Sequence, residues 1–337
     1  MKPHKLILRC MFPAGAILML TAAVRDLHMA FPLRYLTDVR TSTPGIWLNN
    51  PWITPLRDDD PEVQFIDCDY PLIYRSNFVP YHFMHALIDR LGDRLGAAFG
   101  PTHYGGDVHI SPQEAEYMSQ VEEKIGEDIP FWIIAPGWNS TFTVKHWSAA
   151  RYQDVINAFK DRVLFVQVGR DGTGHPRLSS VLDLTGQTNL RQLIRLVYRS
   201  QGVLCPVNLV MHLSAAVKTT SGHYGRPSVV VAGGREPPQW EMYPHHQYLH
   251  TVGALSCCAE GGCWRARTFA TGDGTAYDRP NRLCVNRVEQ LPRCLHIIRS
   301  TDVIRAIERY FDGGVVKYLK PGEIAVCDSA VRSNLSM

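Results

Sequence analysis

Gly202–Trp240 reads GVLCPVNLVMHLSAAV, then KTTSGHYGRP, then SVVVAGGREPPQW. Apolar Gly202–Cys205 is a short buried strand, and Pro206–Leu209 is a turn. Val210–Val217 is an Ala-rich helix, and Ser228–Ala232 is a second buried strand ending on Gly233-Gly234. This strand–helix–strand unit places turns at the carboxyl ends of both strands, the edge where open α/β sheets bind ligands. Gly233 and Gly234 let a backbone approach a ligand closely. His212 opens the helix beside N–H groups and the positive dipole end, which favour phosphate. The expected ligand is therefore anionic and nucleotide-containing.

Strand and helix patterns alternate on both sides of this unit. N-terminal to it, strands are expected at Lys5–Met11, Tyr35–Val39 and Val63–Asp67, with helices at Ile17–Met29 and Tyr81–Leu95. Ser111-Pro112 with Glu114 starts a helix expected to reach Ile125. Gly126–Pro130 reads as a linker. A second run then gives a strand at Phe131–Ala135, a helix at Trp147–Phe159, a strand at Val163–Val168 and a helix at Leu190–Ser200. Asp302–Phe311 is the final helix, and 321–337 is a loose tail. The chain of 337 residues divides into 1–127 and 128–320, with a Gly- and Cys-rich insertion at 253–294. The fold class is α/β: two Rossmann-like domains facing a cleft.

The balance of charge excludes some functions. With 35 basic and 32 acidic residues the net charge is +3, and no basic run or aromatic-basic stripe suggests nucleic acid. The N-terminus imitates a signal peptide. However, Arg9 splits its apolar run, Pro13 and Gly15 break it, and Cys10–Val24 is shorter than the ~20 residues of a membrane span. A first strand and a ligand loop are preferred, with at most peripheral membrane contact. Nine unevenly spaced cysteines argue against a secreted disulfide scaffold and for a reducing, cytoplasmic compartment.

The order "strand, turn, x-x-Met211-His212-x-x-Ala-Ala, loop, strand, Gly-Gly" resembles the donor-binding half of the lipopolysaccharide heptosyltransferases, glycosyltransferase family nine. The similarity extends over most of the chain and implies the GT-B fold. It also implies a nucleotide-diphosphate sugar donor of the ADP-heptose type, inverting transfer to a glycan or protein acceptor, and a place in lipopolysaccharide biosynthesis. Gly137 after its strand, with Lys145 and Trp147, matches the segment that meets the donor diphosphate and sugar. Gly169 ends the next strand, and Gly186 with Thr188 matches a segment near the nucleotide. Arg235 would pair with phosphate, and Glu236 would accept from sugar hydroxyls. No D-x-D motif is present, so no catalytic divalent ion is expected.

Two departures qualify this resemblance. The family's Asp-(Ser/Thr)-Gly before the histidine is here Val207, Asn208 and Leu209, with Asn208 a partial substitute. The loop Pro13–Ala16 matches the family's Gly-Asp loop at Gly15, but Ala16 stands where the proposed catalytic Asp would be and cannot act as a base. Asp26, Asp38 and His82 are the replacement candidates, while Arg25, Arg40 and His82 would hold an acceptor. A non-catalytic sugar-nucleotide binder or assembly subunit is the alternative reading. Finally, Cys258, Cys263, Cys284 and Cys294, with Cys257 able to replace Cys258, would order the insertion by holding a structural zinc or iron ion. That insertion could also form a contact between copies in a homo-oligomer.

Overall fold

The computed structural model describes residues 2–70, 73–171 and 174–312. The expected tail at 321–337 lies outside them. The N-terminal half is a three-stranded parallel sheet of β1 (His4–Cys10), β2 (Tyr35–Thr41) and β3 (Val63–Asp67), in the order β2-β1-β3. Helix α1 (Ala14–Ala30) follows β1, and α2 (Phe83–Leu95) packs beside it. Twelve consecutive residues of α1, Ala16–Leu27, are buried, so this helix is a core element wrapped on all sides rather than an amphipathic surface helix.

The helix expected from Ser111 to Ile125 is broken. Ser111 caps α3 (Pro112–Glu116), and Ser119 caps a separate helix α4 (Gln120–Ile125) by accepting from Glu122 N. Two serines, each three residues before a glutamate, make two starts. The extended residues between them end the first helix. Gly126 then closes α4 in a left-handed cap at φ 86°.

The C-terminal half is a six-stranded parallel sheet in the order β6-β5-β4-β7-β8-β9. Its strands are β4 (Phe131–Ile134), β5 (Leu164–Gln167), β6 (Val181–Asp183), β7 (Gly202–Pro206), β8 (Ser228–Gly233) and β9 (His246–His250). Strands β4, β7 and β8 are buried at every residue, as apolar runs covered on both faces should be. Helices α5 (Ala149–Phe159), α6 (Leu190–Arg199) and α7 (Leu209–Ala216) connect the strands. Helix α8 (Pro238–Glu241) follows β8, and α9 (Arg293–Ile297) and α10 (Ser300–Phe311) close the chain. Helix α7 packs against α1, and one hydrophobic core runs from Leu6 through Met19 and Met211 to Trp240, so the two halves share an interior.

Gly253–Pro292 carries only short 3-10 turns and the two-residue strands β10 (Arg287–Val288) and β11 (Leu291–Pro292). Its organiser is a side chain. The Arg267 guanidinium, buried at 1% exposure, binds Asp273 at 2.6 Å, Asp278 at 2.5 Å, Thr271 at 2.6 Å and the Ser140 carbonyl at 2.8 Å. A salt-bridged arginine thus does part of the ordering expected of a metal. Among the described residues, no helix is long and apolar enough to cross a membrane.

Candidate active site

The loop that joins β1 to α1 meets α7, the helix that follows β7, and Arg235 and Glu236 follow the carboxyl end of β8. At this edge Lys145 Nζ lies 2.7 Å from Glu236 Oε1, and Arg235 also contacts that carboxylate. The Glu236 side chain is 1% exposed, and its Oε2 is buried without a hydrogen bond among the described residues. Burial and the Arg235 guanidinium push the Lys145 ammonium down from its usual range. Arg235 is held by its Nε–H donating to the Arg265 carbonyl at 2.7 Å. Its guanidinium lies 4.7 Å from the Phe142 ring centroid and 5.7 Å from that of Trp264. Lys145, Arg235 and Glu236 are brought together in one buried charge cluster.

His212 faces the other wall. A Cβ on Gly15 would stand 3.1 Å from His212 Cδ2 and 3.2 Å from Nε2, so a side chain at position 15 would meet the imidazole. His212 Nδ1 lies 2.6 Å from the Tyr243 hydroxyl, which lies 3.2 Å from Met19 Sδ. Burial pushes the ring down to about 4, Glu241 opposes this and Lys145 adds to it. The cleft mouth is aromatic, with Phe12 against Tyr70 at 4.8 Å.

Several expected contacts are already engaged within the protein. Asn208 caps α7: its Oδ1 accepts from Val210 N at 3.0 Å and Met211 N at 3.3 Å, and its Nδ2 donates to the Ala135 carbonyl. The helix start therefore does not present those N–H groups to a phosphate. Gly137 and Gly169 do leave room, but His175 fills it: a Cβ would stand 2.0 Å from His175 Cε1 at Gly137 and 1.8 Å at Gly169. Gly233 and Gly234 are covered by Cys294, Leu295 and Cys258. Trp147 is fully buried, its indole donating to the Ile298 carbonyl at 3.0 Å, and Met211 is core. Gly186 forms a turn at φ 72° against Asp171.

In the N-terminal half, the acid and base candidates are structural. Asp26 is fully buried and takes a two-point contact from Arg25 and bonds from Thr102 N and Oγ1. Arg25 also donates to the Gly105 and His103 carbonyls. Asp38 accepts from Val39 N and Leu56 N and pairs with Arg40, which also binds Asp58. His82 caps α2, its Nδ1 accepting from Met84 N, and its Nε2 is buried without a hydrogen bond among the described residues. Ala16 is buried in the first turn of α1.

Five cysteines, 257, 258, 263, 284 and 294, line one cavity of about 20 Å3 beside Gly234 and Arg235. All described cysteines are free. Burial and neighbouring thiols push Cys257 and Cys263 up, and bring Cys294 to about 12. Among the described residues, no group of three or more His, Cys, Asp or Glu side chains is arranged to hold a metal ion. A roomier cavity of about 330 Å3 lies at the opposite edge, between Val108–Pro112 and Lys218–Tyr224.

Sequence reasoning missed His175, Glu241 and Tyr70. For His175 the signal was two glycines just beyond β4 and β5, whose residues Ile134 and Gln167 pair in register. Glycines adjoining on neighbouring strands imply a side chain laid over both.

Residues 104–226 match the family model of glycosyltransferase family 9 (heptosyltransferase). No curated protein matches the chain in sequence. The fold is similar to that of the glycosyl transferase family 9 protein from Veillonella parvula DSM 2008. That match has a TM-score of 0.64 at 14% identity, over 91% of this chain and 97% of that one. It is also similar to the dodecameric iron-containing heptosyltransferase TibC in complex with ADP-D-beta-D-heptose, at TM-score 0.64 and 16% identity, over 93% of this chain and 77% of TibC. TibC comes from enterotoxigenic E. coli H10407. ADP-heptose lipopolysaccharide heptosyltransferase II of E. coli gives a TM-score of 0.53 at 12% identity, over 90% and 97% of the two chains. The chain thus has the fold of these family 9 glycosyltransferases, and the segment that matches the family model includes Lys145 and His212.

Proposed function

We propose that this chain, with its glycosyltransferase family 9 segment, transfers a heptose-like sugar from a nucleoside-diphosphate sugar to a hydroxyl of a glycan or protein. Residues 128–320 would hold the donor and residues 1–127 the acceptor, and attack from the acceptor side would invert the sugar. The observation that carries this reading is the buried Lys145–Arg235–Glu236 cluster, two of whose members follow the carboxyl end of β8. A diphosphate brought there would gain two cations whose solvation has already been lost, so its developing charge would be stabilised without reorganisation. Glu236, with an unused buried oxygen, is placed to accept from a sugar hydroxyl. At Gly137 and Gly169 a nucleotide would meet the His175 imidazole rather than bare backbone. Lipopolysaccharide as the acceptor class and the cytoplasm as the compartment fit a chain whose described cysteines are all free.

A resident iron or zinc ion is part of this proposal. The donor chemistry suits it: five thiols line one cavity, and a divalent cation there would stabilise the thiolates that bind it. Cys257, Cys263, Cys284 and Cys294 are the ligands proposed here. Cys257 stands in for Cys258, which is buried and donates to the Thr251 carbonyl at 3.4 Å; Cys284 would give up its own bond to the Asn286 carbonyl at 3.2 Å on binding the ion. Four thiolates would leave no open position, so the ion would cross-link the segment and take no part in transfer. TibC is iron-containing and dodecameric; a homo-oligomer is proposed for this chain as well.

A binder without turnover is the second reading, and Ala16 favours it. One preparation tests both. ADP, UDP, GDP and ADP-heptose are screened by thermal shift, ADP release is followed, and iron and zinc are quantified. Stabilisation by ADP and ADP-heptose with ADP release is expected, together with one metal ion per chain. Binding without release would support the second reading. No stabilisation by any nucleoside diphosphate would overturn the donor site, and a metal content near zero would overturn the ion.

A further inference from the structure

We propose that His212 is the general base that deprotonates the acceptor hydroxyl, with Tyr243 as its positioning residue. This rests on the donor-site reading above and assigns the role that Ala16 leaves empty. The other candidates are engaged elsewhere. Asp26 is locked to Arg25 and Thr102, and Asp38 to two backbone N–H groups and Arg40. His82 spends its lone pair at Nδ1 on Met84 N–H, which puts its proton on Nε2 and leaves it no basic site.

His212 is arranged in the opposite way. The Tyr243 hydroxyl lies 2.6 Å from His212 Nδ1 and 3.2 Å from Met19 Sδ, and the sulfur can only accept; in the arrangement proposed, the hydroxyl donates to the sulfur and accepts from His212 Nδ1–H. In that arrangement Nε2 is bare and basic. Nε2 is turned toward Gly15, next to the position where the resembled loop carries its Asp. Tyr243 therefore does for His212 what the orienting carboxylate does in other base–orienter pairs.

The groups facing the ring are His82 at the start of α2, Tyr243 and Glu241 beyond β8, Lys145, and His246 of β9. Burial keeps the free ring neutral at pH 7. Glu241 and the incoming diphosphate both favour the imidazolium, so basicity rises when the donor is in place. In the step itself, the acceptor O–H proton moves to Nε2 and the oxygen lone pair bonds to the anomeric carbon. The bond from that carbon to the diphosphate oxygen breaks, and its electron pair leaves with the nucleoside diphosphate. The imidazolium then gives its proton to solvent.

The test uses ADP-D-beta-D-heptose, with ADP release as the rate readout and ADP calorimetry as the binding readout. In the wild-type chain, ADP binding and release check the donor reading. Absence of ADP binding would overturn that reading by itself, and binding without release would overturn the present inference in favour of the binder. Given both, His212→Gln should lower kcat about 100-fold or more while the ADP Kd stays within about twofold. Imidazole in solution should restore part of the rate to His212→Gly. Tyr243→Phe should lower kcat about tenfold and move the acid limb of its pH profile, which a purely structural tyrosine would not do. Unchanged kcat in His212→Gln would overturn the inference. So would loss of ADP binding in that variant, which would make His212 a donor contact.

Discussion

The two halves of the molecule bury charge in opposite ways. In the N-terminal half, every candidate carboxylate is spent: Asp26 has Arg25 and Thr102, and Asp38 has Arg40 and two backbone donors. In the C-terminal half, Glu236 Oε2 and Glu241 Oε2 are buried with no hydrogen bond among the described residues, and two cations share the single oxygen Glu236 Oε1. A buried polar group costs free energy unless it is paired. The first half therefore uses its charges to fold, while the second holds charges incompletely paired, the state expected of a site that awaits a ligand.

Lys145→Ala tests this contrast most strongly. It removes a cation from the ligand edge and leaves Glu236 with Arg235 alone. Turnover of the donor should fall about 100-fold or more, as for the loss of one preorganised stabiliser of developing charge. The variant should unfold near the wild-type midpoint, because Glu236 Oε1 keeps its contact with Arg235. A large stability loss with normal turnover would reverse the comparison.

Much of this fold was readable from pattern. The unit from Gly202 to Gly234 has the expected strand–helix–strand order, and β3 spans Val63–Asp67 as expected, because apolar runs bounded by turn residues report burial directly. Strands β6 and β9 escaped. Val181–Asp183 is a short, partly exposed edge strand. His246–His250 is rich in imidazole, and its burial is lent by Ser214 and α10 rather than by its own apolarity. The site was legible as a location and less so as a mechanism. That His175 fills the space over Gly137 and Gly169, or that Asn208 satisfies the start of α7, depends on contacts distant in sequence or on cap geometry. Residue type alone does not determine either.

Asp26→Asn probes the other side of the comparison. The substitution keeps shape but leaves the buried Arg25 guanidinium without a counter-charge, and breaking such a pair costs about 3 kcal/mol or more. Chemical denaturation should show that loss, and the ADP Kd should stay within about twofold. If instead turnover fell with stability intact, Asp26 would be a base after all and the division between halves would fail.

The smallest effect concerns the seam. Asn77 in the N-terminal half donates to the Gly262 carbonyl at 3.1 Å and accepts from Gly262 N at 3.0 Å and from the Trp264 indole at 2.8 Å. Gly261 sits against it at φ 129°, where a Cβ would stand 2.6 Å from Asn77 Cγ. The cysteine-rich segment is thereby fastened to the N-terminal half. Asn77→Ala strands two N–H donors at a partly buried place, a cost of about 1–3 kcal/mol. The fold should survive, because Arg191 bridges the halves elsewhere through Glu114 and the His109 and Gly45 carbonyls. The expected result is a modest fall in the urea midpoint and faster proteolysis near residues 73–80. Metal content should be unchanged, because none of the proposed ligands touches Asn77. Unchanged stability would show that the shared core and the Arg191 contacts hold the seam without Asn77. Loss of metal would show that the N-terminal half supports the thiol cavity, so that the two halves are less separate in their tasks than their buried charges suggest.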